Sequence, residues 1–341
     1  MKRRWIYPLL LVFLASAAPF GALLLPGTPP AASSAAPSPS PEPELPAITP
    51  QPLAASPQPE RTDAGADLTL YDAAAGQTVT VPVRDFLIGA VASELPPDWP
   101  EDALCAQMVA SHSYALSLGD EPMQVNSALC AGWTDKTVLQ ARWGEDFAGN
   151  YDRLAALADT VAGALLCYEG APAAACYHSI SAGKTEASQN VWVTALPYLQ
   201  GVDSPWDTAV PEYEVSICYS AEQMAALLQS LGLQPGNAPT VWFGTAEWDD
   251  AGYVRTMEVC GETVGGTTLR GALSLRSASF TVEYGDGLFS ITTHGYGHGV
   301  GLSQYGAKAM AEGGASWREI LTYYFPGCEI VESKPPVERV V

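Results

Sequence analysis

Apolar residues run without a break from Phe86 to Ala92, and the run ends at Ser93-Glu94-Leu95. Two prolines and Asp98 follow, then Trp99-Pro100 opens a second stretch with helical spacing. Proline suits the first helical turn, where no backbone donor is needed, and Glu101 and Asp102 suit the positive end of the helix dipole. The pattern predicts two helices with Glu94 at the break between them. A carboxyl group held there among apolar neighbours would have a raised pKa and could donate a proton near neutrality. A solvated acid before a proline turn also fits, and for this segment alone it is the plainer reading.

In the second helix, Cys105, Val109, His112 and Leu116 share one face, with Gln107, Ser111 and Tyr114 on a neighbouring polar one. A satisfied, half-buried histidine is the default for His112. Upstream, LTLYDAAAGQTVTVPV alternates as two short strands turned at Ala75-Gly76. Downstream, residues 122–133 are irregular, and Asp135–Trp143 and Phe147–Ala162 are helical, separated by Gly144. ALLCY and AAACYHS then read as a strand pair turned at Glu169-Gly170, which would set Cys167 across from Cys176. The segment from Ser179 to Trp192 is a polar loop rich in hydroxyls and small residues.

After Pro205-Trp206-Asp207 the pattern changes. A strand over Glu212–Tyr219, a helix over Ala221–Leu231 and a hairpin over 241–260 lead to a helix near Thr267–Leu273 and strands at 277–284 and 288–294. Residues of about 207–290 are expected to form a smaller lobe. In HGYGHGVGLSQYGAKAMAEGG, residues 294–314, glycine occupies every second position from 295 to 301. Such alternation lets another backbone or a flat ligand approach closely. Ser303 can cap a helix through about Glu312, and Ser316 with Glu319 fits a capping box for a last helix ending before Pro326.

The 341 residues carry 37 acids against 16 Lys and Arg, a formal charge of −21. No basic stripe is present, which excludes nucleic acid as a partner and disfavours docking to anionic lipid. Lys2-Arg3-Arg4 precedes an uncharged apolar run from Trp5 to Pro26, roughly one bilayer span. Residues 1–26 are therefore expected to be a basic flank and single membrane anchor, although Ala15-Ser16-Ala17 also resembles a signal-peptide cleavage site. Both readings place the remainder outside the cytoplasm. Residues 27–66, dominated by Pro, Ala and Ser, are expected to be an extended linker, with the folded part at 67–331 and a tail at 332–341.

Seven cysteines without a CxxC do not suggest a disulfide scaffold. His178, His294, His298 and Cys176 could meet as a metal site, but no local spacing supports it. His298 among glycines reads equally as a hydrogen-bonding group near a polar ligand or as a structural bond to a turn carbonyl. No GxSxG elbow and no phosphate-cradling loop are present.

Three segments, read together, resemble one family. ASELPPDWPEDALCAQMVASHSYAL, YHSISAGKTEASQNVW with PYLQGVDSPWD, and GYGHGVGLSQYGAKAMA with ILTYYFPG are similar to the stage II sporulation protein D family, which includes amidase-enhancer proteins. The resemblance spans about residues 67–331 and implies an α/β (mixed α+β) fold, with two lobes and a central cleft after a membrane anchor. It implies a peptidoglycan lytic transglycosylase, with denuded glycan strands as substrate and no cofactor. It also implies a role in forespore engulfment, with the amidase sporulation protein P and the membrane protein sporulation protein M as partners. The catalytic glutamate falls on Glu94. The residues lining the glycan would be Gln107, His112, His178, Ser179, Ser181, Lys184, Thr185, His298, Ser303, Gln304 and Tyr305. Where many relatives have Arg in AARTYAL this chain has His112, which weakens any carboxylate or sugar recognition there. Of a zinc-binding Cys and His cluster found in some relatives only Cys130 remains, so no metal is expected.

The alternative from another class is a glycan-binding module that enhances a partner amidase without cutting. A metal hydrolase built on His178, His294 and His298 is a weaker third.

Overall fold

The computed structural model describes residues 65, 67–72, 76–127, 130–192 and 194–332. The expected anchor at 1–26, nearly all of the linker and all of the tail beyond Glu332 lie outside them. Among the described residues no helix is long and apolar enough to cross a membrane.

The chain opens with β1 (Leu68–Asp72) and β2 (Gln77–Val81), an antiparallel pair, then α1 (Val83–Glu94) and α2 (Glu101–Ser117). β3 (Met123–Gln124) adds to β1 in parallel, and α3 (Lys136–Trp143), α4 (Phe147–Val161), β4 (Ala164–Tyr168), β5 (Ala171–Pro172) and β6 (Tyr177–His178) follow. The polar loop holds the short α5 (Ser188–Trp192). Next come β7 (Glu214–Ser220), α6 (Ala221–Ser230), β8 (Phe243–Trp248), β9 (Val254–Val259), β10 (Glu262–Gly265) and α7 (Gly266–Ala272). The last part holds β11 (Phe280–Gly285), β12 (Leu288–His294), β13 (Leu302–Ser303), α8 (Gln304–Glu312), α9 (Trp317–Tyr324) and β14 (Glu329–Glu332). The sheets are small, ordered β2-β1-β3, β10-β9-β8, β11-β12-β7, β13-β6 and β14-β4-β5. The class is mixed α/β.

α1 is apolar on every side, and each residue from Phe86 to Ala92 is buried, as a helix with no polar stripe must be. It stops for a local reason. Leu95 precedes Pro96, which forces it out of the helical region, and it is extended at φ −125° and ψ 147°. Its N–H still closes the last turn on Val91 O at 2.8 Å. Glu94 is thereby the final helical residue, delivered at the end of a rod with no freedom to slide. α2 crosses the same core and is buried on most of its surface, so the polar face carrying Gln107 and Ser111 points into protein.

The main core gathers α1, α2, α4, β4, α9 and the residues between them; a second core gathers Met224, Leu228, Trp242, Val254, Val259, Phe280, Phe289 and Ile291 from the 214–291 segment. Both capping boxes at helix starts in the C-terminal half are formed, Ser220 with Gln223 and Ser316 with Glu319.

One expected pairing is corrected. β4 pairs with β5, not with AAACYHS, and Cys167 lies opposite Pro172. The residues after Pro172 leave the sheet, and Tyr177–His178 pairs in parallel with Leu302–Ser303, 125 residues away. A turn tight enough for Glu169-Gly170 uses up only two residues of pairing before the chain departs. The seven cysteines are free thiols.

Candidate active site

The β6–β13 junction brings the three distinctive segments together. The glycine-rich run lies along the polar loop that follows β6, with isolated bridges from Ile180 to Tyr296 and from Glu186 to Val300. At all four positions, 295, 297, 299 and 301, φ is positive and a Cβ would meet a neighbour at less than 3.0 Å. A Cβ on Gly301 (φ +75°) would collide with Cys176 O, and one on Gly297 (φ +113°) would lie 2.8 Å from His178 Cβ. The alternation thus serves backbone-to-backbone approach and not a flat ligand. It leads directly into α8, capped by Ser303, whose first residue is Gln304.

Gln304 meets the end of α1. The Glu94 carboxyl is enclosed by Gln304, by Tyr177 of β6 and by Ser127 and Gly132. Burial pushes it up to about 7, and the hydrogen-bonding groups of Ser127, Gln304 and Tyr177 offset only part of the rise. Gly132 is packed so closely that a Cβ would strike Glu94 Oε1 and lie 2.6 Å from Ser93 Oγ. Glu94 Oε1 is buried and forms no hydrogen bond. No carboxylate stands among the groups that act on it. Near neutrality this is a lone acid holding its proton, with an oxygen open to a new partner.

Gln107 and Gln304 belong to the network behind it. Gln304 Nε2 donates to Gln107 Oε1 at 3.3 Å, and Gln107 Nε2 donates to Ser111 Oγ at 3.1 Å. Tyr305 packs edge-on against Trp99 at 5.1 Å, and its N–H donates to Ser179 O at 3.1 Å. Glu94, Ser179, Lys184, His298 and Tyr305 keep partial exposure.

The other expected residues lie deeper. His112 is fully buried beside Phe86, ring centroids 6.4 Å apart, and burial lowers it to about 4. His178 is likewise neutral, pushed down to about 4, with Nδ1–H donating to Val300 O at 3.1 Å. The Thr185 hydroxyl accepts from Val202 N at 2.8 Å, tying the polar loop to 200–202. Ser181 Oγ donates to Asp207 Oδ2 at 2.5 Å and Ser303 Oγ to Asp207 Oδ1 at 2.8 Å, so both hydroxyls are spent on one buried carboxylate.

His298 Nδ1 accepts from Val300 N at 3.1 Å, which leaves Nε2–H to face Cys130 Sγ at 3.3 Å. Trp192 stands over the same ring at 4.8 Å. His294 is drawn instead to Glu214, 3.3 Å away, so the histidine trio is not assembled. Among the described residues no group of three or more His, Cys, Asp or Glu is arranged to hold a metal ion.

Sequence reasoning missed four participants. Ser127 and Gly132 lie in irregular backbone, Tyr177 in a two-residue strand, and Asp207 in a short 3-10 helix, Pro205–Ala209. No periodic pattern marks such places. The available signal was that Tyr177 and Asp207 both stand in segments already matched to the family.

The family model described as stage II sporulation protein matches residues 71–168, which include Glu94. Over 289 residues the chain is 33% identical to stage II sporulation protein D of Bacillus amyloliquefaciens, covering 81% of this chain and 82% of that one. It is 31% identical over 280 residues to stage II sporulation protein D of Bacillus subtilis (strain 168), covering 78% and 79%. An amidase enhancer of the same strain is 27% identical over 299 residues, 71% of this chain and 39% of that longer protein.

Proposed function

The chain belongs to the stage II sporulation protein D family, and from that premise we propose that it is a peptidoglycan lytic transglycosylase acting on denuded glycan strands. The observation that carries this reading is the lone, buried, proton-holding Glu94. Ordinary glycosidases need two carboxylates, one to protonate the leaving oxygen and one to attack or to activate water. With a single acid the substrate must supply the nucleophile, and the C6 hydroxyl of the N-acetylmuramoyl residue can do so.

Glu94 gives its proton to the glycosidic oxygen as the C1–O bond breaks. The resulting carboxylate takes the proton of the C6 hydroxyl as O6 bonds to C1. The products are a free 4-hydroxyl and a 1,6-anhydro end, no water is consumed, and Glu94 ends as it began. A carboxyl titrating at about 7 suits both halves of the cycle, since it is neither a weak acid nor a weak base there. The partly exposed Ser179, Lys184, His298 and Tyr305 would line the glycan path between two lobes. The setting would be forespore engulfment, outside the cytoplasm on the anchor at 1–26, with the sporulation protein P amidase supplying denuded strands and sporulation protein M as membrane partner.

The test is Glu94→Gln in the full-length chain on purified denuded strands. Release of 1,6-anhydro ends should fall by at least about a thousandfold, the upper range for loss of a general acid-base group. Unchanged release sinks the assignment. The similarity to an amidase enhancer favours a second reading, a glycan-binding module that stimulates an amidase. Wild-type protein that binds strands yet yields no anhydro ends decides for that module.

A further inference from the structure

A buried polar atom with no partner costs about 1–3 kcal/mol, and folded proteins keep few of them. Two such atoms face the same small space here. One is Glu94 Oε1 and the other is the hydroxyl of Tyr177, which is buried and makes no hydrogen bond. Each acts electrostatically on the other, so they are neighbours. The Tyr177 hydroxyl also lies near Ser111 Oγ and the Gly132 N–H without bonding to either.

Tyr177 is held in place from both sides. Its N–H donates to Cys130 Sγ at 3.2 Å, its carbonyl accepts from the same thiol at 3.3 Å, and it pairs with Leu302 across β6 and β13. The remaining neighbours form a closed circle of polar side chains. Glu94 meets Gln304, Gln304 bonds Gln107, Gln107 bonds Ser111, Ser111 lies by Tyr177, and Tyr177 returns to Glu94.

We propose that Tyr177 is a positioning residue for Glu94, its hydroxyl being the donor kept in reserve for the carboxylate that forms once Glu94 has given up its proton. While Glu94 is protonated the hydroxyl is idle. When the carboxylate appears, it needs a donor on Oε1, which is buried. Gln304 already shares its amide with Gln107, whereas the phenol is uncommitted and is a stronger donor than the Ser127 hydroxyl. The inference deepens the lytic reading and rests on it for its meaning, though not for its test.

None of Arg142, Arg153, Lys308, Cys130, His112 and His178 is among the groups that act on the Glu94 carboxyl. Arg142 of α3 donates to Ala92 O at 2.9 Å, Arg153 of α4 to Trp99 O at 2.9 Å, and Lys308 of α8 lies over the Trp99 ring. Burial keeps the Cys130 thiol protonated and His112 and His178 neutral. Tyr177 is the titratable group that acts on the Glu94 carboxyl directly.

The experiment labels the glutamate carboxyl carbons of the full-length chain with 13C and identifies the Glu94 signal by its loss in Glu94→Gln. Its titration midpoint is then followed without substrate. In Tyr177→Phe the midpoint rises by about one pH unit, because a donor to the charged form is gone. Release of anhydro ends at pH 6 falls by about ten- to a hundredfold, and the alkaline limb of the rate profile moves upward with the midpoint. A ring that only fills space would move neither. An unmoved midpoint overturns the proposal, while wild-type protein without anhydro products overturns the lytic reading and leaves the midpoint shift intact. If Tyr177→Phe does not fold, a ring-fluorinated tyrosine at position 177, a stronger donor of nearly the same shape, must lower the midpoint, and no change overturns the proposal.

Discussion

Asp207 is a fully buried carboxyl group and Glu94 a partly exposed one with its Oε1 buried, and they are opposites. Asp207 receives Ser181 N at 2.9 Å, Ser181 Oγ at 2.5 Å and Ser303 Oγ at 2.8 Å. Burial raises its pKa, and these donors offset only part of the rise. Glu94 is raised by burial as well, to about 7, but has an oxygen with no bond at all. Burial therefore does not by itself mark chemistry. What separates the two is access and engagement: Asp207 is fully buried with both oxygens bonded, and it staples the polar loop to the start of α8. Ser181 and Ser303 look like glycan contacts in the sequence because hydroxyls beside a catalytic motif invite that reading. In the structure they serve the staple.

The largest effect expected from this contrast is on stability. Asp207→Ala strips three donors of their acceptor, one of them a buried backbone N–H, and opens a small cavity. Unfolding free energy should drop by about 3 kcal/mol, read from urea denaturation. Activity per folded molecule should change little. A drop of less than about 1 kcal/mol would mean the three bonds are not what joins the loop to α8.

The same contrast can be broken from the other side. Gly132→Ala puts a methyl group where Glu94 Oε1 now lies. The carboxyl must move, and a displacement of about 1 Å costs on the order of a hundredfold in rate. Overpacking should cost about 1–3 kcal/mol of stability as well. The decisive measurement is release of anhydro ends by the folded fraction. Full activity there would show that Glu94 reaches the substrate by some route that Gly132 does not control.

Much of the frame that carries these groups is legible in the sequence. The α1–α2 break, the hairpin turned at Gly285-Asp286-Gly287 and the Ser316–Glu319 box all follow from local rules, because period, proline and capping act within a few residues. The site itself is assembled by contacts of another kind. Two-residue strands 125 positions apart leave no period to detect, so β6–β13 and the return of Tyr177 to Glu94 cannot be seen along the chain. The glycine alternation announces a close approach without saying to what. His112 is placed correctly on an apolar face, yet only the packing of β4 and Phe86 around it shows that its ring is sealed from solvent.

A third carboxyl sharpens the comparison with the smallest effect. Glu186 is buried, and one of its oxygens accepts from Ala187 N at 2.6 Å and Asn190 Nδ2 at 2.7 Å. Asp249 spends Oδ1 on Ala251 N at 3.0 Å and Tyr253 N at 2.9 Å, while its Oδ2 is buried with no donor. Two carboxyl groups in contact cannot both ionise cheaply, and a proton on Glu186 is the donor that Asp249 Oδ2 lacks. Burial and the facing Asp249 push Glu186 from 4.5 up to about 8. The folded chain then binds more protons than the unfolded chain between those two values, so stability falls as pH rises from about 4.5 to about 8. Glu94 adds a loss of the same sign that ends near 7. In Glu186→Gln the amide donates to Asp249 at every pH, and the share belonging to Glu186 disappears. Measured by urea denaturation, the variant should lose about 2 kcal/mol less than the wild type between pH 5 and pH 8.5, the proton shared with Asp249 spreading the penalty over both groups. Parallel pH curves would show that this pair sits closer to water than its geometry implies.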